Sequence, residues 1–119
     1  MVKVVPDNKA RFSMIRVLFI CSQNRLRSPT AERVFSTYPG IETDSAGLGN
    51  NANVPLSTEK IEWASLIFVM EQAHKKKLSK KYKPFLNGKK LICLGIPDDF
   101  DFMQAELVEI LKKKVEPFL

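Results

Sequence analysis

Two cysteines and one histidine in 119 residues leave little material for a metal centre or a disulfide framework. A zinc site of the usual kind draws several Cys or His ligands together, and a stapled small domain needs paired cysteines, so no metal, staple or other cofactor is expected. No apolar run approaches a membrane span. The segment from Met1 to Met14 mixes Val2, Val4 and Val5 with Lys3, Asp7 and Lys9, and lacks the apolar core of a signal peptide. A soluble, cytoplasmic chain is the expectation. Acid is also missing from one stretch: Lys75 to Lys90 holds eight lysines and no carboxylate, whereas Asp98 to Glu116 holds six acids against three lysines. The net charge of +6 is therefore unevenly spread. A solvated helix face and loop explains most lysine runs of this kind. The alternative is a docking surface for an acidic or phosphorylated partner, and charge alone does not choose between phosphoprotein and nucleic acid.

At this length and with 45% hydrophobic residues, the chain has enough apolar material for one core and too little for a second. An N-terminal arm over 1–15 and a single domain over 16–119 are expected. Apolar runs predict strands over 16–21, 41–45, 66–70 and 90–94. Helices are predicted over 29–37, from a cap at Ser57 or Thr58 through Trp63, over 71–81, and over 103–115, where Met103, Leu107, Ile110, Leu111 and Val115 share one stripe. Strands alternating with helices imply an α/β three-layer sandwich, a four-stranded parallel sheet with helices on both faces. Ligands in such sheets bind at the carboxyl ends of the strands. Cys21, the Ser45-Ala46-Gly47 stretch, and Asp98 with Asp99 all fall there.

The most informative stretch joins the first strand to the first helix. Val17-Leu18-Phe19-Ile20 stops at Cys21, crosses Ser22-Gln23-Asn24-Arg25-Leu26, and reaches Arg27-Ser28-Pro29. Pro29 suits a helix start, since its missing N–H has no helical partner there. Residues 22–28 can then curl around one anion, with inward backbone N–H groups, a helix N-terminus, and the planar fork of Arg27. The same field favours a thiolate at Cys21, and Ser28 is placed to donate a hydrogen bond to it. A helix cap is the plainer role for Ser28. Asn24 tolerates the left-handed backbone that such a curl demands. Cys93 sits in an apolar run and reads as core. His74, on the lysine-rich helix, reads as a surface residue, and Glu71 and Gln72 open that helix with no assigned role.

Cys-x5-Arg-Ser-Pro after this strand resembles the low-molecular-weight protein tyrosine phosphatase family. The resemblance implies a metal-free phosphomonoesterase of the phosphotyrosine type. In it Cys21 attacks phosphorus, the loop from Ser22 to Ser28 with Arg27 holds the oxygens, and Asp98 protonates the leaving group. It also implies that Ser45 braces Asn24. Asp99 stands where the family has proline, so Asp99, and with it Asp101, remains an alternative acid. Phe100 and Phe102 resemble the aromatics flanking the substrate ring, although anchoring the last helix is an equally good role for Phe102. Gln23 replaces a usual glycine, Arg25 adds a cation, and Leu26 replaces a neighbouring cysteine, which removes local disulfide protection of Cys21. The expected partner is a phosphorylated substrate, most simply a protein. Two other readings differ in chemistry. One is a phosphate-recognition module that binds phosphoprotein or RNA without turnover. The other is a thiol-dependent arsenate reductase, for which Cys93 is the sole further thiol.

Overall fold

The computed structural model describes residues 14–119. Most of the expected N-terminal arm therefore lies outside the described residues, and the first strand already begins at Ile15. Four strands, β1 (Ile15–Cys21), β2 (Ile41–Gly47), β3 (Leu66–Val69) and β4 (Lys90–Cys93), alternate with four helices. These are α1 (Arg27–Phe35), α2 (Thr58–Trp63), α3 (Gln72–Lys81) and α4 (Ala105–Val115). The strands form one sheet in the order β2-β1-β3-β4, and every pairing is parallel.

The central strand explains the layering. Val17 to Ile20 are fully buried, as a strand covered on both faces must be. Successive side chains point to opposite faces. Val17, Phe19 and Cys21 join Phe35 of α1 and Leu107, Leu111 and Val115 of α4 in one core. Leu18 and Ile20 join Ile61 of α2 and Leu78 of α3 in the other. Phe19 stacks between Phe35 and Phe68, with ring centroids 5.7 and 5.5 Å away.

Local signals set the starts of α2 and α3. Ser57 Oγ accepts the Lys60 N–H and caps α2. The first helix departs from expectation: α1 starts at Arg27, with Leu26 at its N-cap, so Ser28 lies inside the first turn and is not the cap. Pro29 is then the third helical residue, still among the positions whose N–H has no helical acceptor. The last helix starts late, at Ala105. Met103 falls outside its stripe because it takes a left-handed φ of 60°, held by its N–H donating to Thr30 Oγ1 at 2.9 Å. Phe100 packs against the core while Phe102 is exposed, so Phe102 does not anchor the helix.

Candidate active site

Cys21 is the last residue of β1, paired with Gly47 at the carboxyl edge of the sheet. Beyond it, residues 22–26 curl back so that the chain can enter α1. The curl turns on Asn24, which is buried at φ 56° and brings its N–H to 3.2 Å from Cys21 Sγ. No side chain caps α1, which leaves its first N–H groups available to an anion.

Below the loop lies a chain of buried polar groups whose polarity can be assigned. Asn24 Nδ2 donates to Ser28 Oγ at 3.0 Å and to Ser45 Oγ at 2.9 Å. Ser45 Oγ, accepting from Asn24, donates its own hydrogen bond to a Glu32 carboxylate oxygen. Ser28 Oγ lies 2.9 Å from Cys21 Sγ and, accepting from Asn24, has its proton free for sulfur. Asn24, Ser28 and Ser45 thus each have partners, and the arrangement aims two donors at one sulfur.

The loop is also held from outside, by the segment after β2. Leu48 N–H donates to Cys21 O, Gly49 N–H to Ser22 O, and Asn53 N–H to Gln23 O, all at 2.8–2.9 Å. Asn53 Nδ2 reaches Asn24 O at 3.1 Å. A Cβ on Gly47 would stand 2.6 Å from Ala52 Cβ and 2.7 Å from Ser22 O, so this approach requires glycine. Arg25 is exposed and reaches Asn51 O and Asn53 Oδ1 at 3.4 and 3.5 Å.

Arg27 is 2% exposed. Its Nη1 donates to Ile96 O at 2.8 Å and to the Glu71 carboxylate. Its Nε is buried with no hydrogen-bond partner, 3.6 Å from Asp98 Oδ1. Cys21, Ser22, Gln23, Arg25, Leu26, Arg27 and Asp98 line a pocket of about 180 Å³ here. Asp99 and Asp101 are exposed and do not line it. A larger depression of about 700 Å³ lies among Arg16, Glu42, Trp63 and Lys89. It offers no cysteine or other strong nucleophile, so size does not select the site.

Two site residues escaped the sequence reading. Glu71, at the N-cap of α3, pairs with Arg27, and that hydrogen bond holds its carboxyl below the ordinary range against the opposing effect of burial. His74, expected at the surface, is buried: Nε2 lies 2.8 Å from Ser22 Oγ, and Nδ1 accepts the Glu71 N–H at 3.1 Å. Burial first, then the positive charge of Arg27, pushes the His74 imidazole below its ordinary value. The lysines around His74 masked its role. The available signal was spacing, since N-cap and third helical residue are where side chain and backbone meet.

Residues 16–65 match the family model described as low molecular weight phosphotyrosine protein phosphatase. Among curated proteins the sequence has no match. Among solved structures, the YwlE arginine phosphatase from Geobacillus stearothermophilus superposes with a TM-score of 0.70 at 22% identity, over 87% of this chain and 92% of that one. Wzb from Vibrio vulnificus, in complex with benzylphosphonate, gives 0.72 at 19% identity, over 88% and 97%. SP-PTP, a low molecular weight protein tyrosine phosphatase from Streptococcus pyogenes, gives 0.72 at 15% identity, over 89% and 94%. At these identities the likeness establishes the fold.

Proposed function

We propose that this chain, with the fold and, over residues 16–65, the sequence pattern of the low-molecular-weight phosphatases, is a cysteine-dependent phosphomonoesterase acting on phosphorylated protein. The observation that carries this reading is the pocket over Cys21, lined by the residue 22–27 loop, with a buried Arg27 whose Nε has no partner and with Asp98 alongside. A bound phosphate would give Nε its acceptor.

The Cys21 thiolate attacks phosphorus in line, forming the S–P bond as the P–O bond to the leaving group breaks. Asp98 gives its proton to the departing oxygen. Loop N–H groups and Arg27 neutralise the equatorial oxygens, donors fixed before the charge develops. Asp98, now ionised, takes a proton from water as that water attacks phosphorus, the S–P bond breaks, and inorganic phosphate leaves. Ser28 supports sulfur as the leaving group of this second step. Asp98 is preferred over Asp99 and Asp101 because it alone of the three lines the pocket. The same position disfavours a binding-only module, which needs no acid there. Arsenate reduction is disfavoured because Cys93 lies on β4, half-buried against the opposite core from Cys21.

Phosphotyrosine is the first substrate to test, and phosphoarginine the second, because one structural neighbour is an arginine phosphatase. The lysine face is the candidate contact with acidic residues around the phosphorylated one: Lys75, Lys76, Lys80 and Lys83 border one groove, and among the described residues none of them is in an ion pair. Both cysteines are free, as suits a reducing compartment such as the cytoplasm. Hydrolysis of an aryl phosphate and of both phosphopeptides, at about pH 5 to 8 with and without chelator, tests the reading. Chelator-resistant turnover that disappears in Cys21→Ser supports it. Turnover surviving in Cys21→Ser, or no turnover by a folded wild type that binds phosphate, overturns it.

A further inference from the structure

The chain's single histidine is buried against the phosphate loop, and the chemistry assigned to that loop does not use it. Its two ring nitrogens face different demands. Nδ1 accepts the backbone N–H of Glu71, a group that can only donate, so Nδ1 carries no proton. The neutral ring then carries its proton on Nε2 and donates it to Ser22 Oγ. Ser22 lines the pocket, and with its oxygen engaged by His74 its own hydroxyl proton is left to point elsewhere.

We propose that His74, as the neutral Nε2–H tautomer, is a positioning residue that holds the Ser22 hydroxyl as a donor toward bound phosphate and fastens α3, with its Glu71–Arg27 pair, to the loop. The proposal rests on the phosphatase reading for its consequence in turnover, while its effect on anion binding stands apart from that reading. The surrounding charges act in both directions. Arg27 on α1 and Lys77 on α3 oppose a charged ring, whereas Glu71 at the head of α3 and Asp98 after β4 favour one. A second ring proton would set Nδ1–H against the Glu71 N–H, donor facing donor. The contact would open, and the loop would lose its tie to α3.

Two substitutions separate the two bonds. His74→Asn keeps a short acceptor for the Glu71 N–H and loses the donor to Ser22. His74→Gln reaches further, keeps the donor, and fits the helix cap less well. His74→Asn is expected to fold with a thermal midpoint close to wild type but to raise KM for an aryl phosphate, and the inhibition constant of inorganic phosphate, about 10-fold, with kcat changed less. That factor corresponds to one lost charge-assisted hydrogen bond. His74→Gln should show the reverse, with phosphate affinity within about threefold of wild type and a lower thermal midpoint. Equal effects of the two substitutions on phosphate affinity would overturn the proposal. So would imidazole nitrogen shifts showing the Nδ1–H tautomer at neutral pH. If the wild type does not turn over, titration with inorganic phosphate followed by amide shifts reads the same comparison, so failure of the enzymatic reading and failure of this one are distinguishable.

Discussion

The two loops that face each other across the pocket are built on opposite plans. The loop from Ser22 to Leu26 is tied at nearly every residue: Asn24 through its side chain to Ser28 and Ser45, the backbone of residues 21–24 to Leu48, Gly49 and Asn53, and Ser22 to His74. The segment from Pro97 to Phe102 is exposed along most of its length. It is fixed mainly at its ends, by Ile96 between Met70 and Arg27 and by Met103 on Thr30. The difference follows from the tasks proposed for them. Oxygens that gain charge are best met by dipoles that need not move, whereas an acid must follow leaving groups of different shapes.

The comparison is broken most severely at its centre. Cys21→Ser should reduce turnover to background, by roughly a million-fold, while the folded protein still binds inorganic phosphate. Kinetics alongside a phosphate titration would check both halves. On the opposing loop, Asp98→Asn should lower kcat about 100-fold and leave KM within about threefold, as loss of a general acid does. Asp99→Asn should stay within about threefold of wild type in kcat. A larger effect at Asp99 would show that the exposed loop rearranges to offer a different carboxylate.

Stability should separate the loops next. Gly47→Ala forces backbone at Ser22 and the Ala52 Cβ to yield, at a cost of about 1–3 kcal/mol in a denaturant titration. Gly49→Ala should cost less, because its closest neighbour at 2.9 Å is the end of the flexible Gln23 side chain and Ser22 O stands at 3.0 Å, farther than from Gly47. Ser45→Ala should cost about 1 kcal/mol by leaving an Asn24 donor unpaired. Substitutions at exposed Asp99 or Phe102 should lie within about 0.5 kcal/mol of wild type.

The strands, their parallel sheet and the strand-to-helix loop after Cys21 were legible because β1 is a continuous apolar run ending at a cysteine, with arginine, serine and proline following at fixed offsets. The brace from Ser45 to Asn24 was available only through family resemblance. What escaped was tertiary. The roles of Gly47 against Ser22 and of Asn53 against Asn24 depend on partners far earlier in the chain. His74 looked exposed because five lysines share its helix, yet charged residues can occupy one side while another side packs. Ser28 was legible as a partner of Cys21, and its second role as a cap falls away because α1 begins at Arg27. Where a polar residue's role lies in a distant partner, local pattern had nothing to report.

The smallest expected effect sharpens the contrast by pH. The His74 imidazole sits below its ordinary value of 6.5 in the folded protein, chiefly through burial, so the unfolded chain takes up the proton first as pH falls. Its contribution to stability is complete above about pH 6.5 and is lost progressively below it, down to the folded-state value. Glu71 is shifted in the same direction from 4.5, so its contribution persists until pH falls below about that value. Denaturant midpoints at pH 7.5, 6.5 and 5.5 should fall modestly over the last step in wild type and stay flatter in His74→Gln. Protection of the backbone against hydrogen exchange, corrected for the intrinsic pH dependence of exchange, should fall at residues 22–24 as pH drops below 6.5, with that of the already exposed 98–102 segment unchanged. Loss of protection confined to 98–102 would mean that the tightly bonded loop does not depend on His74, and that the two plans are less different than their hydrogen bonds imply.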